Sequence, residues 1–232
     1  MKLYITNKNY SSWSMRPWVL MHTLELPFEE VMVSLDLRPG SAFYQTLAQL
    51  GLISKVPVLV LDDGTVVNDS LAIVETLAEL YPERGIWPRH AAARARARSL
   101  CAQMHAGFGA LRQHCPMNVE ADLRALGPAL LQAQAGVRAD LEHLYALWED
   151  ALARSGGPYL FGEFCAADAF FAPVVMRLTR YGLPIPAALS PYVQTLEHNA
   201  GVRAWVQAAL LERQFVPEDE PYRRSASDTP KL

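Results

Sequence analysis

Val56-Pro57-Val58-Leu59-Val60-Leu61-Asp62-Asp63-Gly64-Thr65-Val66-Val67-Asn68-Asp69-Ser70-Leu71-Ala72-Ile73 is the stretch on which the reading of this chain turns. Val56 to Leu61 is a short apolar run of strand length, and Asp62-Asp63-Gly64 supplies the residues a tight hairpin needs. Thr65 to Val67 then returns antiparallel. A helix follows from about Asp69 to Leu80, because Leu71, Ile73, Val74, Leu77, Ala78 and Tyr81 recur at helical spacing. Pro57 has no N–H to give a ladder, which suits either an edge strand or a special turn. Asp69 and Ser70 stand where the helix begins. Such residues cap helices, and the free N–H groups and dipole of the same turn attract an anion.

Toward the N-terminus, Leu3 and Ile5 alternate with Lys2, Tyr4 and Thr6 as a strand with one buried face. The polar segment Asn7 to Ser12 leads into a helical pattern that Leu26-Pro27 stops. Phe28 to Leu35 reads as a second strand joined by a parallel crossover, and Asp36 to Leu52 as a loop region with a short helix around Phe43 to Leu50. The order β-α-β-α-β-β-α assigns residues 1–81 to one α/β domain. Pro82, Gly85 and Pro88 make 82–90 a linker. Beyond it strand patterns stop, so 91–217 reads as all-helical: Ala91 to Cys115, Glu120 to Ser155, Ala167 to Tyr181, Pro191 to Asn199 and Val202 to Leu211. Residues 218–232 are polar and charged and read as a flexible tail.

The 232 residues are 51% apolar and 19% charged, enough to build two cores. A net charge of -3 gives no overall attraction to nucleic acid or to acidic membranes, and no apolar run has bilayer length. The first residues alternate like a strand and lack a signal-peptide layout, so a cytoplasmic location is expected. Cys101, Cys115 and Cys165 show no CxxC spacing, which indicates neither a disulfide framework nor a metal site.

Three segments together resemble the glutathione S-transferase superfamily from Lys2 to about Phe215, in particular its bacterial zeta-like and related serine-type members. They are Lys55-Val56-Pro57-Val58-Leu59, Asn68-Asp69-Ser70-Leu71-Ala72-Ile73 and Tyr10-Ser11-Ser12-Trp13-Ser14-Met15-Arg16. The second is similar to the family's acidic-Ser-x-Ala-Ile signature, with Asp69 where glutamate or glutamine is more usual. The third looks like a Ser-Ser-x-Ser-x-Arg segment, with Trp13 where zeta-like members carry cysteine. The resemblance implies an N-terminal thioredoxin-like α/β domain followed by a helical bundle, with the ligand cleft between them.

By the same resemblance Lys55, Val56, Pro57, Asp69 and Ser70 bind glutathione. Pro57 is a cis-proline, Val56 pairs with the cysteinyl backbone, and Asp69 meets the γ-glutamyl ammonium. A hydroxyl and a helix N-terminus lower a thiol's pKa. Ser11 is the first choice for that catalytic hydroxyl and Ser12 the second, although a Ser-Ser-x-Ser run also suits a plain helix start. Trp13, Met104, His105, Phe108 and Arg180 are the expected electrophile pocket. The implied enzyme is a cytoplasmic, homodimeric detoxifying transferase with glutathione as co-substrate and no metal or prosthetic group. A glutathione-dependent cis-trans isomerase of maleylacetoacetate type and a non-catalytic binding module are the alternatives.

Overall fold

A computed structural model describes residues 1–51 and 54–232. Leu52, where the expected loop region ends, lies outside the described residues. The first domain holds β1 (Lys2–Ile5), α1 (Ser12–Thr23), β2 (Glu29–Met32), α2 (Ala42–Ala48), β3 (Val58–Val60), β4 (Val66–Asn68) and α3 (Ser70–Leu80). The sheet order is β2-β1-β3-β4, with β1 parallel to β2 and antiparallel to β3, and β4 antiparallel to β3. Alternation divides the sheet's side chains between two cores. Leu3, Ile5 and Leu59 are buried in one cluster with Val19, Leu20, Ile73 and Leu77 of α1 and α3, while Val58 joins Val33, Phe43 and Leu47 in a smaller one beside α2.

The helical domain comprises α4 (Ala91–Ala106), α5 (Gly109–His114), α6 (Gly127–Ala133), α7 (Ala135–Ser155), α8 (Ala166–Arg180), α9 (Ser190–Glu197) and α10 (Ala200–Glu212). Every residue of α8 from Ala166 to Leu178 is buried, so it is the axis of this half. One side of α8 meets α1 of the first domain. α10 also packs on α1, and a side chain at Gly201 would stand 2.5 Å from Thr23 Oγ1 and 2.7 Å from the Val19 carbonyl. Trp18 meets Trp205 edge-on at 5.3 Å across the same contact. Among the described residues, no helix is long and apolar enough to cross a membrane.

Three expectations need correction. The helix expected over Ala91 to Cys115 breaks at Gly107 and Phe108, where Phe108 takes a left-handed backbone with φ of 56°. The helix expected over Glu120 to Ser155 starts only at Gly127 and breaks again at Gln134. Polar side chains take over the backbone before it: Asn9 Oδ1 accepts the N–H groups of Val119 and Glu120 at 2.8 and 2.9 Å, and Asn118 Oδ1 accepts that of Ala121 at 2.9 Å. Such bonds compete with a helical ladder. Finally, the segment 218–232, expected as a flexible tail, is strapped to the body. Glu220 and Arg223 are buried, Glu220 accepts bonds from Tyr10 and Asn118 at 2.7 Å each, and Arg223 also reaches Glu120 at 3.1 Å.

Candidate active site

A cleft of about 810 Å³ opens between the two domains. Its first wall comes from three places in the α/β half: Ser11, Ser12 and Trp13 at the start of α1; Lys55, Val56 and Pro57 before β3; and Asp69 and Ser70 at the start of α3. Topology brings them together, because β1 and β4 both run to the end of the sheet from which the antiparallel β3 between them starts. The Val56–Pro57 peptide is cis, as the resemblance implies. His105, Arg112, Met117 and Arg177 of the helical half form the facing wall, and Asp219 of the C-terminal strap also lines the cleft.

The serine segment divides its work unevenly. Ser11 is the N-cap of α1: its Oγ accepts the Ser14 N–H at 3.4 Å and donates to Ser14 Oγ at 2.8 Å. Ser12 follows as the first helical residue, and its Oγ accepts a bond from Arg177 Nη2 at 3.2 Å. Capping therefore falls to Ser11, the reverse of an arrangement in which Ser12 caps and Ser11 faces the ligand.

Asp69 carries two duties. It caps α3 through Oδ1, which accepts the Leu71 N–H at 2.8 Å, while Oδ2 lies 3.3 Å from His105 Nε2 across the domain boundary. Its φ of 79° with ψ of 135° is a conformation that side chains rarely take, a strain typical of ligand sites. Ser70 is wholly buried, its Oγ accepting from Arg16 Nη1 at 3.4 Å.

Behind this wall lies a cluster of cations. Arg16 stacks 4.1 Å from the centre of the Trp13 ring and is buried, and its Nε has no hydrogen-bond partner. Burial, with Arg177 and Arg112 close by, brings its pKa down to about 9. Arg177 is buried too, and its Nε and Nη1 donate to the carbonyls of Cys115 and Pro173 at 2.9 and 3.1 Å. Burial lowers it to about 10, so both remain cationic at neutral pH. Among the described residues, the hydrogen bonds of Arg16, Arg112 and Arg177 go to serines and carbonyls and not to a carboxylate. Unpaired buried charge is costly, which makes such a cluster a receptor for negative charge.

Of the five residues expected in the electrophile pocket, two line the cleft. Trp13 and His105 line the cleft, with their rings edge-on at 5.0 Å. Met104, Phe108 and Arg180 do not. Met104 is on the buried face of α4 with Leu100 and Cys101, and only its neighbour His105 looks outward. The break at Phe108 turns that ring into the core against His143, at 5.6 Å. Arg180 sits in the last turn of α8, where its carbonyl accepts the Leu123 N–H, and Arg177 takes its place at the cleft. Arg112 and Arg177 escaped the sequence reading. A signal existed for Arg177, since it interrupts the otherwise apolar run Ala169 to Leu178, but a lone cation near a helix end suits the dipole equally well.

A thioredoxin-like half and a helical half that share a cationic cleft define a two-domain ligand-binding protein of the transferase type. Residues 10–80 match the family described as Glutathione S-transferase, N-terminal domain, and residues 90–210 match Glutathione S-transferase, C-terminal domain. The chain belongs to the glutathione S-transferase family and is an enzyme. It is 28% identical over 222 residues, 91% of this chain and 94% of the other, to "Probable maleylacetoacetate isomerase" of Vibrio cholerae. It is 26% identical over 206 residues, 87% and 86% of the two chains, to "Probable maleylacetoacetate isomerase 2" of Drosophila melanogaster. Solved structures share the fold. A sphingomonad glutathione S-transferase complexed with glutathione superposes with TM-score 0.65 at 23% identity, covering 90% and 98% of the two chains. A Burkholderia glutathione transferase homologue with bound glutathione gives 0.63 at 24%, covering 90% and 96%.

Proposed function

We propose that the protein adds glutathione to small electrophiles by holding its thiol as a thiolate at the N-terminus of α1. What carries this reading is that three segments far apart in sequence, Ser11-Ser12, Lys55-Val56-Pro57 and Asp69-Ser70, line one wall of one cleft. An extended tripeptide fits that wall: its γ-glutamyl carboxylate at the first turn of α3, its ammonium at Asp69, its cysteinyl backbone beside Val56 and its sulfur at α1. The thiol proton leaves to water. The thiolate pair then forms the S–C bond, while the leaving group departs with the electrons of the bond that breaks. Calorimetric titration with glutathione, followed by conjugation of a neutral aryl halide, tests the reading; absence of glutathione binding rejects it.

The cluster of Arg16, Arg112 and Arg177, none of which hydrogen-bonds to a carboxylate among the described residues, favours a second reading in which the second substrate is acidic, as the names of the isomerase relatives suggest. In an isomerisation the thiolate adds to a cis double bond, the bond rotates and the thiolate is expelled, so glutathione is regenerated. Arg112, which lines the cleft and is less buried than Arg16 and Arg177, is the expected carboxylate anchor in place of Arg180. Arg112→Ala should lower kcat/KM for an acidic cis-enedione about tenfold or more, the worth of one charge-assisted bond, and spare the aryl halide. Equal losses on both substrates would make Arg112 structural. We further propose a cytoplasmic, homodimeric enzyme acting in detoxification. Exposed Val66 on β4 and Leu80 on α3 support the dimer, which sedimentation can check.

A further inference from the structure

The thiol-binding hydroxyl of a serine-type transferase must have its proton free to point at sulfur. Ser11 does not meet that condition, because its proton goes to Ser14 Oγ at 2.8 Å and its oxygen takes the Ser14 N–H. Ser12 does. Its oxygen accepts from Arg177, which leaves the hydroxyl proton as the only donor and directs it away from the guanidinium, and Ser12 lines the cleft. Of the other hydroxyls that line the cleft, Tyr10 donates to Glu220 at 2.7 Å, Thr6 Oγ1 is sealed from solvent and Ser70 is buried against Arg16, while Ser54 and Tyr44 belong to the chain before β3 and to α2 and not to the start of α1.

Arg177 is held for this task. Two carbonyls, Cys115 on the chain leaving α5 and Pro173 one turn earlier on α8, fix two corners of its guanidinium and leave the third for Ser12. No carboxylate hydrogen-bonds to it among the described residues, so its charge is undiluted at the one hydroxyl it touches. We infer that Ser12 is the catalytic residue that donates to the glutathione thiolate, and that Arg177 is the positioning residue that orients and polarises it. The inference rests on the reading that the glutathione thiol lies at the start of α1.

Other charges share the cleft. Arg16 of α1 and Arg112 of α5 add positive potential, His105 of α4 faces Asp69 of α3, and Lys55, Tyr44 and Asp219 line its margins. None of these hydrogen-bonds to Ser12, so changes at Ser12 and Arg177 should be coupled to each other and only weakly to the rest.

The test is the pH titration of thiolate ultraviolet absorbance for bound glutathione, with affinity measured separately by calorimetry. Ser12→Ala should raise the midpoint by about one pH unit or more, since it removes one bond to an anion. Arg177→Met should raise it similarly, Arg177→Lys should recover part of the shift, and Arg177→Met should add little in a Ser12→Ala background. Ser11→Ala should mainly lower Tm, as loss of an N-cap does, with the smaller titration shift. An unmoved midpoint in Ser12→Ala, with glutathione still bound, overturns the inference while leaving the proposed function standing. A shift on Ser12→Ala that Arg177→Lys does not share at all, and that Arg177→Met does not mimic, removes the role of Arg177. If Arg177→Met does not fold, the Lys variant and Ser12→Ala decide. A parent protein that binds no glutathione defeats both readings.

Discussion

At Asp69 one side chain answers to two masters, and isosteric substitution separates them. Asparagine keeps an oxygen for the Leu71 N–H, so Asp69→Asn should leave Tm nearly unchanged while it weakens glutathione binding about tenfold through loss of the ammonium pair. Asp69→Ala should lose the same affinity and about 1 kcal/mol of stability besides. Calorimetry and thermal unfolding of the two variants make the comparison; equal affinity in Asp69→Asn and parent would remove the ammonium contact. Asp168 at the start of α8 is a second residue whose charge can be read out. It is wholly buried and accepts the N–H groups of Cys165 and Leu160 at 3.0 and 3.1 Å, and burial raises it to about 6. A raised folded pKa means that its contribution is most favourable below about pH 4 and is lost as pH rises through about 6. Asp168→Asn should therefore flatten that part of the stability profile relative to the parent. Asp168→Ala, which leaves two buried donors unpaired, should cost about 1–3 kcal/mol at any pH. Denaturant titrations across pH 4 to 7 test both expectations.

Elements that depend on local chemistry were legible in the sequence, and those that depend on packing were not. Pro57, the Asp62-Asp63-Gly64 turn and the Asp69 cap announce themselves within a few residues, so β3, β4 and α3 could be placed closely. The breaks at Phe108 and Gln134 had no such sign. There Gly107 is accommodated by a carbonyl only 2.7 Å from where a Cβ would be, and Leu111's N–H finds Asp140 Oδ2 at 2.8 Å on α7, partners visible only in three dimensions. The break at Phe108 sets the course of α5 and so of Arg112, and the face that the unbroken α8 turns to α1 brings Arg177 rather than Arg180 to the cleft, so neither choice was legible in local sequence. The crossing of α1 and α10 is likewise a packing matter with a sharp test. Gly201→Ala forces a methyl into Thr23 and the Val19 carbonyl and should cost about 1–3 kcal/mol by overpacking. Thermal unfolding will show it, and an unchanged Tm would mean that α10 shifts freely on α1.

Across the whole molecule the strap after α10 closes a circuit from the last residues back to the first loop. Tyr10, Asn118, Glu120 and Arg223 all meet at or around Glu220, and Tyr222 donates to the His114 carbonyl at 2.7 Å. Burial and the bond to Glu220 keep the Tyr10 phenol protonated well above its usual range. A chain ended at residue 216 should therefore lose Tm by several degrees, since one to two kcal/mol corresponds to roughly 2–8 °C in a domain of this size class, and should expose Tyr10 to titration. Unchanged Tm and an unchanged phenol titration would mean that the strap contributes nothing in solution. The contact of α1 with both α8 and α10 reaches further than stability. Because the helix that begins with the serine segment is walled by the helical half, neither half is a transferable module, and chimaeras joining this first domain to another protein's second would inherit a mismatched seam at Trp18, Val19 and Thr23. The unit open to recombination, in the laboratory or in descent, is the pair.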